Sequence, residues 1–156
     1  MPFRVDEAKF EQCSRIAGVS VAAYTMRAME RWRANLVDYD CVMIMIAVIA
    51  ISSDRLLRTD FPERYRSLAA PMDPALLGKV NISSIAHATG LNRETARRKV
   101  NDLIEQGLLA RDRRGNVSFR AGLVQEERIR SQIRGQIGEI AAIAGQLQRI
   151  GAIVEE

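Results

Sequence analysis

The residues that could do chemistry in this chain are few, and their spacing points away from catalysis. His87 is the single histidine, so neither a histidine-based metal cluster nor a Ser/His/Asp triad can be assembled. Cys13 and Cys41 lie far apart, form no CxxC pair, and fit a reducing compartment. They could meet as an oxidant sensor, but such cysteines more often serve as small buried apolar residues. Asp38, Asp40 and Asp54 read as caps and surface charges rather than a catalytic pair. No enzyme activity, cofactor or metal is therefore expected. The residues that do stand together are arginines. Arg93, Arg97 and Arg98 surround Glu94 and Thr95, and Arg113 and Arg114 precede Gly115. A guanidinium is a planar fork of donors that matches phosphate oxygens and the guanine edge. The chemistry on offer is recognition of a polyanion, although charge alone would equally suit a solvated face.

The placement of charge sharpens this reading. The net charge is +4, and the 23 basic residues are nearly all arginine. Residues 1–75 balance to zero and residues 121–156 are slightly acidic. The excess lies in residues 76–120, where Lys79, Arg93, Arg97, Arg98, Lys99, Arg111, Arg113, Arg114 and Arg120 face only Glu94, Asp102, Glu105 and Asp112. Such a segment concentrates anions around itself.

The elements that must position these residues read as mainly helical. Residues 6–37 repeat apolar side chains at helical spacing, from Phe10 and Cys13 to Trp32 and Leu36, with Gly18 as a place where the block can split. Residues 38–58 form a second helix, capped by Asp38 or Asp40 and apolar on all sides, so it should be buried. Its 41–51 run is too short for a membrane span, and the charged N-terminus lacks a signal-peptide core, so a cytoplasmic location is expected. Met26, Met29, Met43 and Met45, with Tyr24 and Trp32, suit either core or a pocket for a small-molecule effector. Pro62, Pro71 and Pro74 make 59–75 a connector with a short helix at 63–69.

Residues 75–120 carry an ordered set of signals. Pro74 suits the first turn of a short helix at 75–77. Asn81 can cap a helix over 82–88, Gly90 can supply the left-handed residue of a tight turn, and Asn92 can cap a third helix over 93–106. Ala96, Val100, Leu103 and Ile104 would face inward there. Residues 108–112 and 116–120 read as a hairpin tipped by Arg113, Arg114 and Gly115. Helix, helix, turn, helix and hairpin is the order of a winged helix-turn-helix, three helices plus a β-hairpin wing. Two arginines at a wing tip are easily explained by contact with phosphate or a minor groove.

The stretch GLNRETARRKVNDLIEQGLL resembles the recognition-helix region of bacterial regulators of the Crp/Fnr family, and GntR- and MarR-type regulators are looser relatives. The resemblance covers about 40 of the 156 residues. It implies a winged-helix transcription regulator in which Arg93, Glu94 and Arg98 meet base edges in the major groove and Thr95 contacts a phosphate. Asn92, Arg97 and His87 are further candidates for the backbone. The cyclic-nucleotide domain of that family is not carried over, because residues 1–75 show helical period and no Gly-rich phosphate cassette. The helical flanks are more similar to the MarR layout.

Residues 122–154 read as one long helix. Ile133, Ile137, Ile140, Ala144, Leu147, Gly151 and Val154 alternate spacings of four and three, a coiled-coil seam. Gly135, Gly138, Gly145 and Gly151 point to close helix packing, with the 41–51 run as one candidate partner. The expectation is therefore a homodimer built on Ile133, Ile137, Ile140, Ala144, Leu147 and Val154. In this scheme residues 1–74 form an N-terminal helical region for dimerisation or an effector. Residues 75–120 form the DNA-binding domain, and residues 121–156 form the dimerisation helix. The expected function is sequence-specific binding of double-stranded DNA, with no membrane partner. A winged-helix module docking an acidic protein in a larger assembly is the alternative.

Overall fold

Aspartates start both long helices. Asp6 accepts from the Lys9 amide and caps α1 (Glu7–Arg33), and Asp38 accepts from the Cys41 amide and caps α2 (Tyr39–Arg58). Each takes an amide that the first helical turn leaves without an acceptor. The structure is a computed structural model and describes residues 3–34, 36, 38–59 and 62–156. Gly18 does not divide α1, which is a single helix. The expected extension of that block to 37 runs into residues 35 and 37, which lie outside the described residues. Beyond α2 the prolines leave two single turns of 3-10 helix, Glu63–Tyr65 and Pro74–Leu76.

Local signals also set the next elements. Asn81 and Ser84 form a reciprocal capping box at the start of α3 (Ile82–Thr89). Gly90 ends that helix at φ 70°, in the left-handed region that favours glycine. The Thr89 hydroxyl donates to the Ile85 carbonyl at 2.8 Å, so the turn is held from its side chain as well. Asn92 then caps α4 (Arg93–Glu105) by accepting from the Glu94 amide. Strands β2 (Leu109–Arg111) and β3 (Val117–Phe119) pair antiparallel, with Leu109 opposite Phe119 and Arg111 opposite Val117.

The chain forms two compact units, Asn35–Arg130 and Met1–Ala34 with Ser131–Glu156. This division differs from boundaries near residues 74 and 120. The reason is α2. Cys41, Ile44, Met45 and Val48 share one core with Ile85 of α3, with Ala96, Val100 and Leu103 of α4, and with Leu109 and Val117 of the hairpin. The three-helix set therefore consists of α2, α3 and α4. The short helix expected at 75–77 is only a 3-10 turn, and three residues cannot present a packing face. The loop before α3 is clamped against this core: the Gly78 amide donates to the Ser52 carbonyl at 2.8 Å, and Val80 accepts from the Val117 amide at 2.7 Å.

The other unit pairs α1 with α5 (Glu127–Arg149), whose first turn belongs to the unit just described. Ser20 meets Gln146 and Arg31 meets Glu139, so the helices run antiparallel. Its core is small: Cys13, Ala17 and Ala152, with Leu147 and Ile150 against them. Strand β1 (Phe3–Val5) pairs antiparallel with β4 (Ile153–Glu155) at its end. The long helix expected over 122–154 therefore stops early. Gly151 turns the chain at φ 79°, and Val154 lies in β4 opposite Arg4 rather than on the helix.

A Cβ at Gly78 would stand 2.9 Å from the Ile51 carbonyl oxygen, a backbone atom that cannot swing aside. Gly78→Ala should therefore destabilise the chain by about 1–3 kcal/mol, the usual cost of overpacking, read as a lower urea midpoint. An unchanged midpoint would mean the loop is not clamped there.

Candidate nucleic-acid interface

The outer face of α4 is set by its inner one. Ala96, Val100 and Leu103 are fully buried, which leaves Glu94, Arg97, Arg98 and Asn101 on the opposite side. Arg93, Glu94, Arg97 and Arg98 are exposed, as are Asn92 and, on α3, His87; Thr95 is half-buried. Arg113 and Arg114 are exposed at the hairpin tip, within the same compact unit. The structure thus gathers the sequence-selected residues on α3, on α4 and at one turn.

Their electrostatic states differ. Glu94 accepts both a 3.0 Å and a 2.6 Å hydrogen bond from Arg97. That guanidinium holds the Glu94 carboxyl below its ordinary value. The pair is fully solvent-facing, so opening it costs little. Arg93, Arg98 and Arg113 carry no such counterion among the described residues, and Arg114 is bonded only through its backbone. Asn92 has its carbonyl oxygen engaged in the cap at 2.8 Å, which leaves its amide as a donor.

Lys99 and Arg120 are engaged away from the exposed arginines. Lys99 turns inward and pairs with Asp38, linking α4 to the first turn of α2. Burial works to raise the Asp38 carboxyl, but hydrogen bonds from Lys99 and the Cys41 amide outweigh it and hold the carboxyl below its ordinary value. Burial, with Asp38 alongside, pushes the Cys41 thiol up to about 11, so it stays protonated and unreactive near neutral pH. Arg120 is likewise occupied, bonding Glu126 and, at 2.6 Å, the Gly107 carbonyl. Arg111 was not among the expected contacts, and it donates to Asn101 of α4 at 2.9 Å.

The hairpin tip is built by Asp112. One carboxylate oxygen accepts from the Arg114 and Asn116 amides, each at 2.8 Å, and the other accepts from the Asn116 side chain at 2.7 Å. Gly115 completes the turn at φ 83°. The Asn116 side chain, with the backbone donors beside it, keeps the Asp112 carboxyl below its ordinary value. Asp112 thus holds the Arg114 backbone and forms no ion pair with either tip side chain, and its charge acts on Arg114 only at longer range.

The expected dimer residues divide between two elements. Ile137 and Ile140 stand 62% and 51% exposed on α5, and Ile133, Ala144 and Leu147 are half-buried along the same helix. Val154 is off the helix, so the heptad seam ends at Leu147. At Gly135 an added Cβ would lie 2.8 Å from the Arg31 guanidinium, the end of a flexible side chain on α1. Its close neighbour is therefore α1 rather than the 41–51 run.

Among the described residues no three metal-ligating side chains come together, and no helix is long and apolar enough to cross a membrane. Compared with protein-family models, curated proteins and solved structures, the chain shows no match.

Asp112→Ala should make the Arg114 and Asn116 amides exchange with solvent several-fold faster while α4 keeps its protection. Unchanged exchange at the tip would mean that Gly115 alone holds the turn.

Proposed function

We propose that the chain is a winged-helix transcription regulator that binds double-stranded DNA as a homodimer. One observation carries this reading. Arg93, Arg98, Arg113 and Arg114 stand exposed without an ion-pair partner among the described residues, on a helix and a hairpin tip of one compact unit. Exposed guanidinium groups without ion-pair partners suit a phosphate-lined groove, which would compensate them. In this reading α4 enters the major groove, and α2 serves as the supporting first helix of the three-helix set. Arg93, Glu94 and Arg98 read bases, while Asn92, Thr95, Arg97 and His87 reach the backbone. Arg113 and Arg114 hold the flanking backbone or minor groove. Glu94 exchanges Arg97 for a base donor at small cost, because the pair is solvent-facing.

The homodimer rests on charge and exposure. Residues 16–26 of α1 contain no charged side chain, and residues 135–148 of α5 contain only Glu139, which is taken by Arg31. Ile16, Val19, Val21 and Met26 of α1 are exposed, together with Ile137 and Ile140. A helix pair with apolar residues on its outer faces and so small a core needs a cover. A second copy supplies one of the same chemistry, and a two-fold dimer matches a palindromic site.

Arg98→Ala should cost about 1–3 kcal/mol at one base position and relax selectivity there. Arg113→Ala should weaken all duplexes alike. Binding-site selection followed by titration of single-base variants distinguishes the two, and wild-type behaviour of both variants would refute the assigned roles. Ile137→Glu should shift the chain from dimer to monomer in sedimentation equilibrium. An unaltered dimer would place the interface elsewhere, and a wild-type monomer would remove it.

A further inference from the structure

The hairpin carries a basic residue that neither the tip nor the recognition face accounts for. Arg111 closes β2, two residues beyond Leu109. Side chains alternate along a strand, so Leu109 and Arg111 point to the same side of the hairpin. At Leu109 that side is buried in the core with α4. Two residues further, about 7 Å along the strand, the core has ended and Arg111 emerges. There it donates to the Oδ1 of Asn101 at 2.9 Å. Asn101 lies one turn beyond Arg97 and Arg98 on the outer stripe of α4. The bond therefore joins the two elements that carry the exposed arginines, at the point where they meet.

The partner's chemistry matters. Asn101 is neutral, so Arg111 is oriented without losing its charge. No carboxylate pairs with it among the described residues. The oxygens of adjacent Asp112 are engaged by Arg114 and Asn116, and neither Asp102 nor Glu105 comes within ion-pair distance. Among the described residues the remaining guanidinium donors and the Asn101 amide nitrogen have no hydrogen-bond acceptor. An arginine held this way has given up side-chain freedom before its ligand arrives, and its planar fork suits an anion that offers two oxygens, such as a phosphate.

We propose that Arg111 and Asn101 form a preformed phosphate site at the junction of α4 and the hairpin. It takes a backbone phosphate of the duplex between the major-groove contacts of α4 and those of the tip. This site rests on the DNA-binding reading above. It makes the donors continuous from Arg98 through Asn101 and Arg111 to Arg113.

The test is the salt dependence of binding by the full-length chain, measured by fluorescence anisotropy on a random-sequence duplex and on a selected duplex. Loss of one phosphate contact lowers the slope of log K against log salt by about 0.9. Arg111→Gln should lower it by that amount on both duplexes, at an unchanged melting temperature. Arg111→Lys, which keeps the charge, should retain the wild-type slope. Asn101→Ala should also retain the slope but bind several-fold more weakly, because the arginine is no longer held. A wild-type slope in Arg111→Gln overturns the site and leaves DNA binding standing. A loss confined to the selected duplex overturns it too, by making Arg111 a base reader. Absence of salt-dependent binding by the wild type overturns the DNA reading and this site with it.

Discussion

The apolar run of α2 has to be surrounded, and the arrangement of the basic face follows from how that is done. Cys41, Ile44, Met45 and Val48 recur at i, i+3, i+4 and i+7, so they form one apolar stripe of α2 that needs a cover. Helices α3 and α4 and strand β3 close over them. Once Ala96, Val100 and Leu103 are drawn inward, geometry leaves Arg97, Arg98 and Asn101 no place but the outside. The Lys99–Asp38 pair adds a polar tie between α4 and the first turn of α2, so a single helix both fills the core and fixes the axial position of α4. The exposed arginines are thus a consequence of burial elsewhere.

Charge in this unit is sorted by partner. Lys99 and Arg120 have carboxylates and lie off the face. Arg97 has a solvent-facing carboxylate that it can exchange. Arg111 has a neutral amide, and the tip arginines have a carboxylate that binds only backbone and a neighbouring asparagine. In the other unit the pattern is reversed: nearly all charge has been removed from the middle of α1 and α5, and apolar side chains remain in the open. One unit exposes guanidinium groups, the other apolar side chains.

Much of this was legible in the residues themselves. The caps at Asp38, Asn81 and Asn92, the left-handed turn at Gly90 and the arginine-tipped hairpin all stand where their spacing puts them. The inward stripe of α4 was legible as well, and with it the exposure of Arg93, Glu94, Arg97 and Arg98. The first helix of the set is α2 and not the segment at 75–77, because Pro74 is a strong local signal for a helix start whereas α2 lies a connector away. The seam over 133–154 was read too long, because apolar spacing does not register that Gly151 will reverse the chain. The link from Arg111 to Asn101 could have been found from the two-residue period of β2, had the side of the hairpin facing α4 been known.

The sequence by itself determined the elements, their ends and the net charge of each face, because caps, turn glycines and apolar periods act over a few residues. Only the tertiary structure decided which elements share a core, that β1 pairs with β4 from opposite ends of the chain, and which arginines keep their charge free. Those outcomes depend on contacts between segments far apart in sequence, where the loop-closure cost is balanced by burial and pairing that no local pattern encodes.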